Sequence, residues 1–183
     1  ANAFIEKNIH IICDKPMTTT LDDAKKLYKL IKNKKILFCL THNYTGYPMV
    51  RQARQMIIDG LIGDIHIVNV EYPQGPFPAL NPKTAKKSIG WRGIENDQGV
   101  GLSAILSDLA THSFHIAQYV SSLKIVKISA DVSKNIKSIG IDDNVHAMLK
   151  FENGATGLLW SSFAATGGEH GLRVRVFGSK GAI

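Results

Sequence analysis

Several features that would settle the class of this chain at once are missing from it. Nowhere does it carry the roughly 18 uninterrupted apolar residues that a membrane helix needs, which argues against a membrane span. Its N-terminus lacks the basic, apolar, small-residue order of a secretory signal. Two cysteines in 183 residues exclude a disulfide scaffold. Cys13 and Cys39 each lie inside an apolar run, where a thiol behaves as a small buried hydrophobe in a reducing compartment. Two free thiols and a soluble, cytoplasmic protein are therefore expected. No internal repeat and no low-complexity segment is visible, which leaves ordinary globular material.

Acidic residues are in the minority, 15 against 22 lysines and arginines, for a net charge of +7. Such a surplus suits nucleic acid, a membrane surface or a phosphorylated small molecule. Here the lysines at positions 25, 26, 29, 32, 34 and 35 fall on or just after one amphipathic helix, the usual pattern of a solvated face. Aromatics are not interleaved with them, so nucleic acid is not an expected partner. With 44% hydrophobic and 20% charged residues, the chain can build one good core, or one domain and part of another. Residues 1–7 read as the end of a helix without its start, so the natural protein is expected to begin earlier.

The order of elements points to an α/β fold. Residues 8–13 form a short apolar run of the kind buried in a parallel sheet, closed by Asp14-Lys15-Pro16. Thr20-x-x-Asp23 opens a helix with Leu21, Ala24, Leu27, Tyr28 and Ile31 at helical spacing, and a second strand is expected over 36–40. Strand, helix and strand with so short a connection make a parallel crossover unit of a doubly wound sheet. Pro48 and Gly60 bracket another helix, and a strand over 65–72 leads into a long loop at 73–93 rich in proline, glycine and lysine. Beyond a Gly99-Val100-Gly101 hinge, a helix is expected from about Ser103 to Val120, with Leu106, Leu109, Ala110, Ile116, Ala117 and Val120 on its apolar side and Asp108, His112, His115 and Tyr119 on the other. The remainder reads as α+β material dominated by antiparallel strands at 125–132, 145–151, 155–163 and 172–178, the middle pair joined through Asn153-Gly154. Val145, Ala147, Leu149 and Phe151 alternate with His146, Met148 and Lys150, so one sheet face is apolar and the mixed face is a candidate for pairing with another subunit.

Four groups of residues could carry chemistry. Asp108 and His112 lie one helical turn apart; an imidazole can take a hydroxyl proton near neutral pH and a neighbouring carboxylate can hold the ring, although a solvated helix face would look the same. Asp108, His112 and His115 could instead bind a metal, but side chains on one straight helix converge poorly without a ligand from His42, His66 or Glu71. Lys15 stands at a strand's C-terminal end, where doubly wound sheets bind ligands, although Lys-Pro is also a common exposed turn. Thr41-His42-Asn43-Tyr44 occupies the corresponding end of the next strand and should face the same crevice. Trp91-Arg92 offers an indole to cover a ring and a guanidinium to hold an anion or hydroxyl, or else a buried loop anchor. Gly99, Gly101 and the Gly178–Gly181 segment do not make a dinucleotide fingerprint, because neither follows a parallel strand and opens a helix.

Taken in order, Cys13-Asp14-Lys15-Pro16, THNYTGYPMVRQAR at 41–54, GWRG at 90–93, Asp108-x-x-x-His112, Asp142-Asp143-Asn144 and the ending Val174–Ile183 resemble the glucose-fructose oxidoreductase, inositol dehydrogenase and rhizopine catabolism family, Gfo/Idh/MocA. The resemblance covers essentially the whole chain. It implies the end of a Rossmann-type dinucleotide-binding domain over residues 1–44, followed at 45–183 by a substrate and oligomerisation domain with a large, mostly antiparallel open sheet. It also implies NAD or NADP as cofactor, a sugar or polyol substrate, and self-association through the C-terminal sheet. The family pattern assigns Lys15 to substrate and nicotinamide, with Asp14 in place of the commoner glutamate, Asp108 to orienting the base and His112 to acid/base work. Asn43, Tyr44, Trp91 and Arg92 are the implied cofactor and substrate rim. Because the glycine fingerprint is absent, this polypeptide alone is expected to be inactive. A noncatalytic oligomerisation or regulatory module, and less favoured a metal-dependent hydrolase or lyase, are the alternatives.

Overall fold

The computed structural model describes residues 1–75, 103–137 and 140–183. The long loop, its Trp91-Arg92 pair and the Gly99/Gly101 hinge thus lie outside the described residues. Helix α1 (Asn2–Glu6), strand β1 (Ile11–Asp14), helix α2 (Leu21–Lys32) and strand β2 (Phe38–Thr41) form the expected crossover, with β1 and β2 paired in parallel. Thr20 caps α2 as its sequence indicated, its side chain accepting from the Asp23 amide at 3.2 Å. The apolar stripe of α2 is narrower than its spacing suggested. Leu27 is buried beside Ile5 and Ile36, whereas Leu21 and Tyr28 stand in solvent. Ile12 and Leu37 are also exposed, an unusual state for a parallel sheet, whose faces are normally both covered. The thiols depart from expectation too: both are free, but Cys39 is exposed and Cys13 half-buried.

A short 3-10 turn, Asn43–Gly46, carries the chain from β2 into helix α3 (Pro48–Ile58), with Pro48 in its first turn. Strand β3 (Ile65–Pro73) then enters a second, five-stranded sheet with β4 (Ile125–Ser133), β5 (Asn144–Phe151), β6 (Thr156–Ser162) and β7 (Arg173–Gly178). Its order is β4-β5-β6-β3-β7, and only the β3–β6 pair is parallel. Antiparallel neighbours follow from short links: β5 and β6 turn through Asn153-Gly154, where Gly154 takes φ +91°, a conformation costly for residues with a Cβ.

Alternation along the strands sorts the two faces. Val68, Val70 and Tyr72 of β3, Val145, Ala147, Leu149 and Phe151 of β5, and Val176 of β7 point to one buried face. Helix α4 (Thr111–Ser121) covers it with Ile116, Ala117 and Val120, joined by Ile57 of α3. The stretch that precedes α4, Leu106–Ala110, is wound as a π-helix, an insertion of the kind often found at functional sites. It shifts the helical phase, which explains why Leu106, expected among the core positions, is 42% exposed while Asp108 is buried.

Two neighbouring carboxylates do the joining that the apolar core cannot. Asp142 accepts from the Ser103 hydroxyl and from the backbone amides of Ala104, at 2.6 Å, and Ile105, at 3.4 Å. It thereby satisfies amides at the start of the helix that a first turn leaves without partners. Asp143 is fully buried and accepts from the Asn135 amide and side chain, at 2.9 and 3.1 Å, and from the Ile136 amide at 2.6 Å. Replacing Asp143 with alanine strands these donors in the interior, and a loss of roughly 3 kcal/mol is expected. Urea unfolding measures it; a change below about 1 kcal/mol would show that the network contributes little.

Candidate active site

Strand ends and the π-helical stretch converge on one cavity of about 580 Å³, lined by Asp14, Lys15, Thr41, Asn43, Tyr44, Tyr72, Gln74, Asp108, Leu109, His112 and His170. A larger concavity of about 640 Å³ lies on the outer face of the five-stranded sheet. Its walls include Ile67, Met148 and Leu158 with two lysines, and it contains neither a carboxylate nor an imidazole. Of these two, only the first carries carboxylates and imidazoles.

Parallel pairing sets Asp14 opposite Thr41, and the Thr41 hydroxyl donates to the Asp14 carboxylate at 2.8 Å. Lys15 follows directly. Its ammonium donates to the Asp108 carboxylate at 2.8 Å and to the Asp108 carbonyl at 2.7 Å. The side chains are 18% and 10% exposed, so this ion pair is largely withdrawn from water, where charge-assisted bonds are strong and uncompensated charges costly. Asp108 thus bonds Lys15 and also acts electrostatically on the His112 imidazole, favouring its protonated form.

His112 is 7% exposed. Tyr44 meets it edge to face at 4.7 Å between ring centres, with His42 and Tyr72 each at 6.2 Å. Burial pushes its pKa down to about 4, helped by the positive charge of Lys15 and by His42, with Asp108 pulling the other way. His112 is thus a neutral imidazole able to accept a proton. Tyr44 shares a 2.5 Å hydrogen bond with Tyr72, and burial followed by that bond raises its phenol above the ordinary range. His42 stacks flat on His115 at 3.7 Å. Burial, then the neighbouring His115 and Lys15, bring His42 down to about 4, and burial lowers His115 as well.

The structure therefore brings together Lys15, Asn43, Tyr44, Asp108 and His112, five of the seven residues singled out from sequence; Trp91 and Arg92 lie outside the described residues. Tyr72, Gln74 and His170 were missed as parts of the site. Tyr72 had a readable signal, the last inward position of β3 bearing a polar tip. Gln74 and His170 had none, because they meet only through the approach of residues 165–171 to the end of β3. Gly75 permits that approach: a Cβ there would lie 1.9 Å from the Ala165 carbonyl oxygen. Among the described residues, no three His, Cys, Asp or Glu side chains come together as metal ligands. No helix among them is long and apolar enough to cross a membrane.

Residues 50–183 match the GFO/IDH/MocA C-terminal domain, and residues 1–44 match the oxidoreductase family with an NAD-binding Rossmann fold. The chain belongs to the GFO/IDH/MocA oxidoreductase family. Within that family it is similar to an oxidoreductase from Sinorhizobium meliloti, with 41% identity and a TM-score of 0.80 over 98% of this chain and 45% of that one. An inositol dehydrogenase homologue from Azotobacter vinelandii, crystallised with NADH and myo-inositol, shares 30% identity with a TM-score of 0.82 over 98% and 45% of the respective chains. Levoglucosan dehydrogenase from Pseudarthrobacter phenanthrenivorans is 28% identical across 100% of this chain and 50% of its own length. This GFO/IDH/MocA chain thus spans about half the length of the relatives it matches.

The buried imidazoles make stability depend on pH. An unfolded histidine takes a proton near the ordinary imidazole value of 6.5, whereas folded His42 and His112 resist protonation down to about 4. Between these values the unfolded state binds more protons, so stability falls as pH drops through the window. Urea midpoints are expected to decline from pH 6.5 to 4, less steeply in His42→Phe; identical slopes would place the burden on other groups.

Proposed function

We propose that this chain carries the proton-handling residues of a nicotinamide-dependent oxidoreductase that interconverts a hydroxyl and a carbonyl on a sugar, polyol or related compound. The observation that supports it most is the Lys15–Asp108 pair beside neutral His112 in one cavity. In this reading residues 1–44 are the end of the dinucleotide-binding domain and 45–183 the substrate and oligomerisation domain. The cavity opens at the carboxyl ends of two parallel strands, where open α/β sheets receive their ligands. Lys15, Asn43 and Tyr44 offer a cation, an amide and an aromatic face there, a donor set that fits the reacting end of NAD or NADP; Trp91 and Arg92 would complete the rim. Among the described residues no glycine-rich strand-turn-helix supplies a diphosphate cradle.

When bound, the nicotinamide exchanges a hydride with the carbinol carbon. His112 accepts the hydroxyl proton on a ring nitrogen and returns it in the reverse direction. Lys15 donates to the same substrate oxygen and stabilises the charge that develops on it. Asp108 holds the Lys15 ammonium in place and favours the imidazolium formed at His112. Tyr44, Tyr72 and Leu109 keep water from the reacting atoms. The relatives act on or bind polyhydroxylated rings, myo-inositol and levoglucosan, and the mixed polar lining of this cavity suits ligands of that class.

The test uses the full-length protein with NADH or NADPH and a panel of polyols. His112→Ala is expected to lower kcat by about 10²–10⁴-fold, and Lys15→Ala to reduce kcat/KM by a comparable factor. Activity retained in both would sink the assignment.

We further propose self-association through the outer sheet face, where Ile67, Met148 and Leu158 stand exposed on adjacent strands. Sedimentation velocity on Leu158→Lys is expected to show a smaller species than the parent; unchanged assembly would remove this face from consideration.

A further inference from the structure

We infer that His42 is a positioning residue for His112: clamped flat on His115, its ring forms with Tyr44 a two-sided collar that keeps the His112 imidazole dry and fixes its plane. The inference rests on the proposed role of His112 as the base and names a residue to which that role assigns nothing.

The geometry is cooperative along one short segment. His42 and Tyr44, two residues apart at the end of β2, place their rings edge to face with His112 at interplanar angles of 87° and 80°. Tyr72 approaches at 69° from β3. An imidazole bounded in this way cannot swing about its Cβ–Cγ bond without striking an aromatic ring. His42 is held in turn by the 7° stack on His115, one helical turn beyond His112 on α4. That same stack leaves the His42 Nδ1 buried without a hydrogen-bond partner. A buried ring nitrogen with no partner is costly, and among the described residues the ring's contacts are its packing against two other imidazoles. The collar also joins the two sheets, because His42 follows β2 while His112 and His115 belong to the helix on the five-stranded sheet.

The groups that face His112 are Lys15 from β1, His42 and Tyr44 beyond β2, Tyr72 from β3, and Asp108 and His115 from its own helix. His170 and Asp14 line the same cavity. Of these, Lys15, His42 and His115 oppose a proton on His112 and Asp108 favours one. His42 acts mainly by excluding water, which is why a ring without nitrogen should preserve the effect.

The experiment follows the imidazole of His112 by NMR in the full-length protein, with His42→Ala and His42→Phe compared with the parent. In His42→Ala water reaches the ring, and its titration midpoint is expected to rise by about one pH unit or more. In His42→Phe the collar persists and the midpoint stays within about 0.3 unit of the parent. Turnover of His42→Ala should fall roughly tenfold in kcat with KM within about twofold, and the acid limb of its pH profile should move up with the NMR midpoint. Should the alanine variant not fold, His42→Asn carries the same expectations. An unchanged His112 midpoint in the alanine or asparagine variant overturns the inference, as does His42→Phe titrating like His42→Ala. Because the titration needs neither cofactor nor turnover, it judges the collar separately from the catalytic reading, which fails instead if His112→Ala keeps its activity.

Discussion

A lysine from the first parallel strand reaches across 93 positions of sequence to an aspartate in the π-helical stretch, and the ion pair they form organises everything around it. Lys15 bonds both the carboxylate and the carbonyl of Asp108, so it fixes the side chain and the backbone of the helix start together. Little water reaches either partner. A charge pair in such surroundings is strong and directional. The phenol of Tyr44, the imidazole of His112 and the amide of Asn43 line the same cavity.

Burial is what sets this cluster apart from ordinary surface groups. His112 on an open helix would titrate near neutrality; enclosed by aromatic rings and facing an ammonium, it is a neutral acceptor. Asp142, by binding the first amides of the helix, and the core beneath α4, by holding its apolar side, keep the imidazole from retreating into solvent. The energetic cost is a cluster of three histidines, His42, His112 and His115, whose protonation is disfavoured. Natural sites commonly carry such local instability, offset by a well-packed scaffold, and here that scaffold is the alternating apolar face of the five-stranded sheet.

Two faces of that sheet divide the labour. The inner one supports α3, α4 and the site, and is closed by Val68, Val70, Leu149 and Phe151. Apolar side chains also stand exposed on the outer face, with no layer over them among the described residues. The small parallel sheet shows the same condition at Ile12 and Leu37, consistent with a chain that spans about half the length of its relatives.

Periodicity and turn chemistry are local properties, and they determined most of the element order: the capped α2, the crossover, the Asn153-Gly154 hairpin and the alternation along β5 were all legible in the sequence. Lys15, Asp108 and His112 were legible too, as charged or titratable side chains at strand ends and on a helix face, and the family motifs set them in order. Other features were not, and the reason is that they arise from contacts distant in sequence. Leu106 and Asp108 exchange their expected exposure because the π-helical turn shifts the phase, a backbone choice settled by packing on the sheet. Asp108 turns to Lys15, and His42 finds His115, only when two sheets meet. Gln74 and His170 share the cavity because Gly75 lets residues 165–171 close on β3. Which residues could do chemistry was written in their types and spacing; which partner each one holds, and how dry it is kept, was decided by tertiary packing, since burial and electrostatic coupling depend on distances that the chain acquires only on folding.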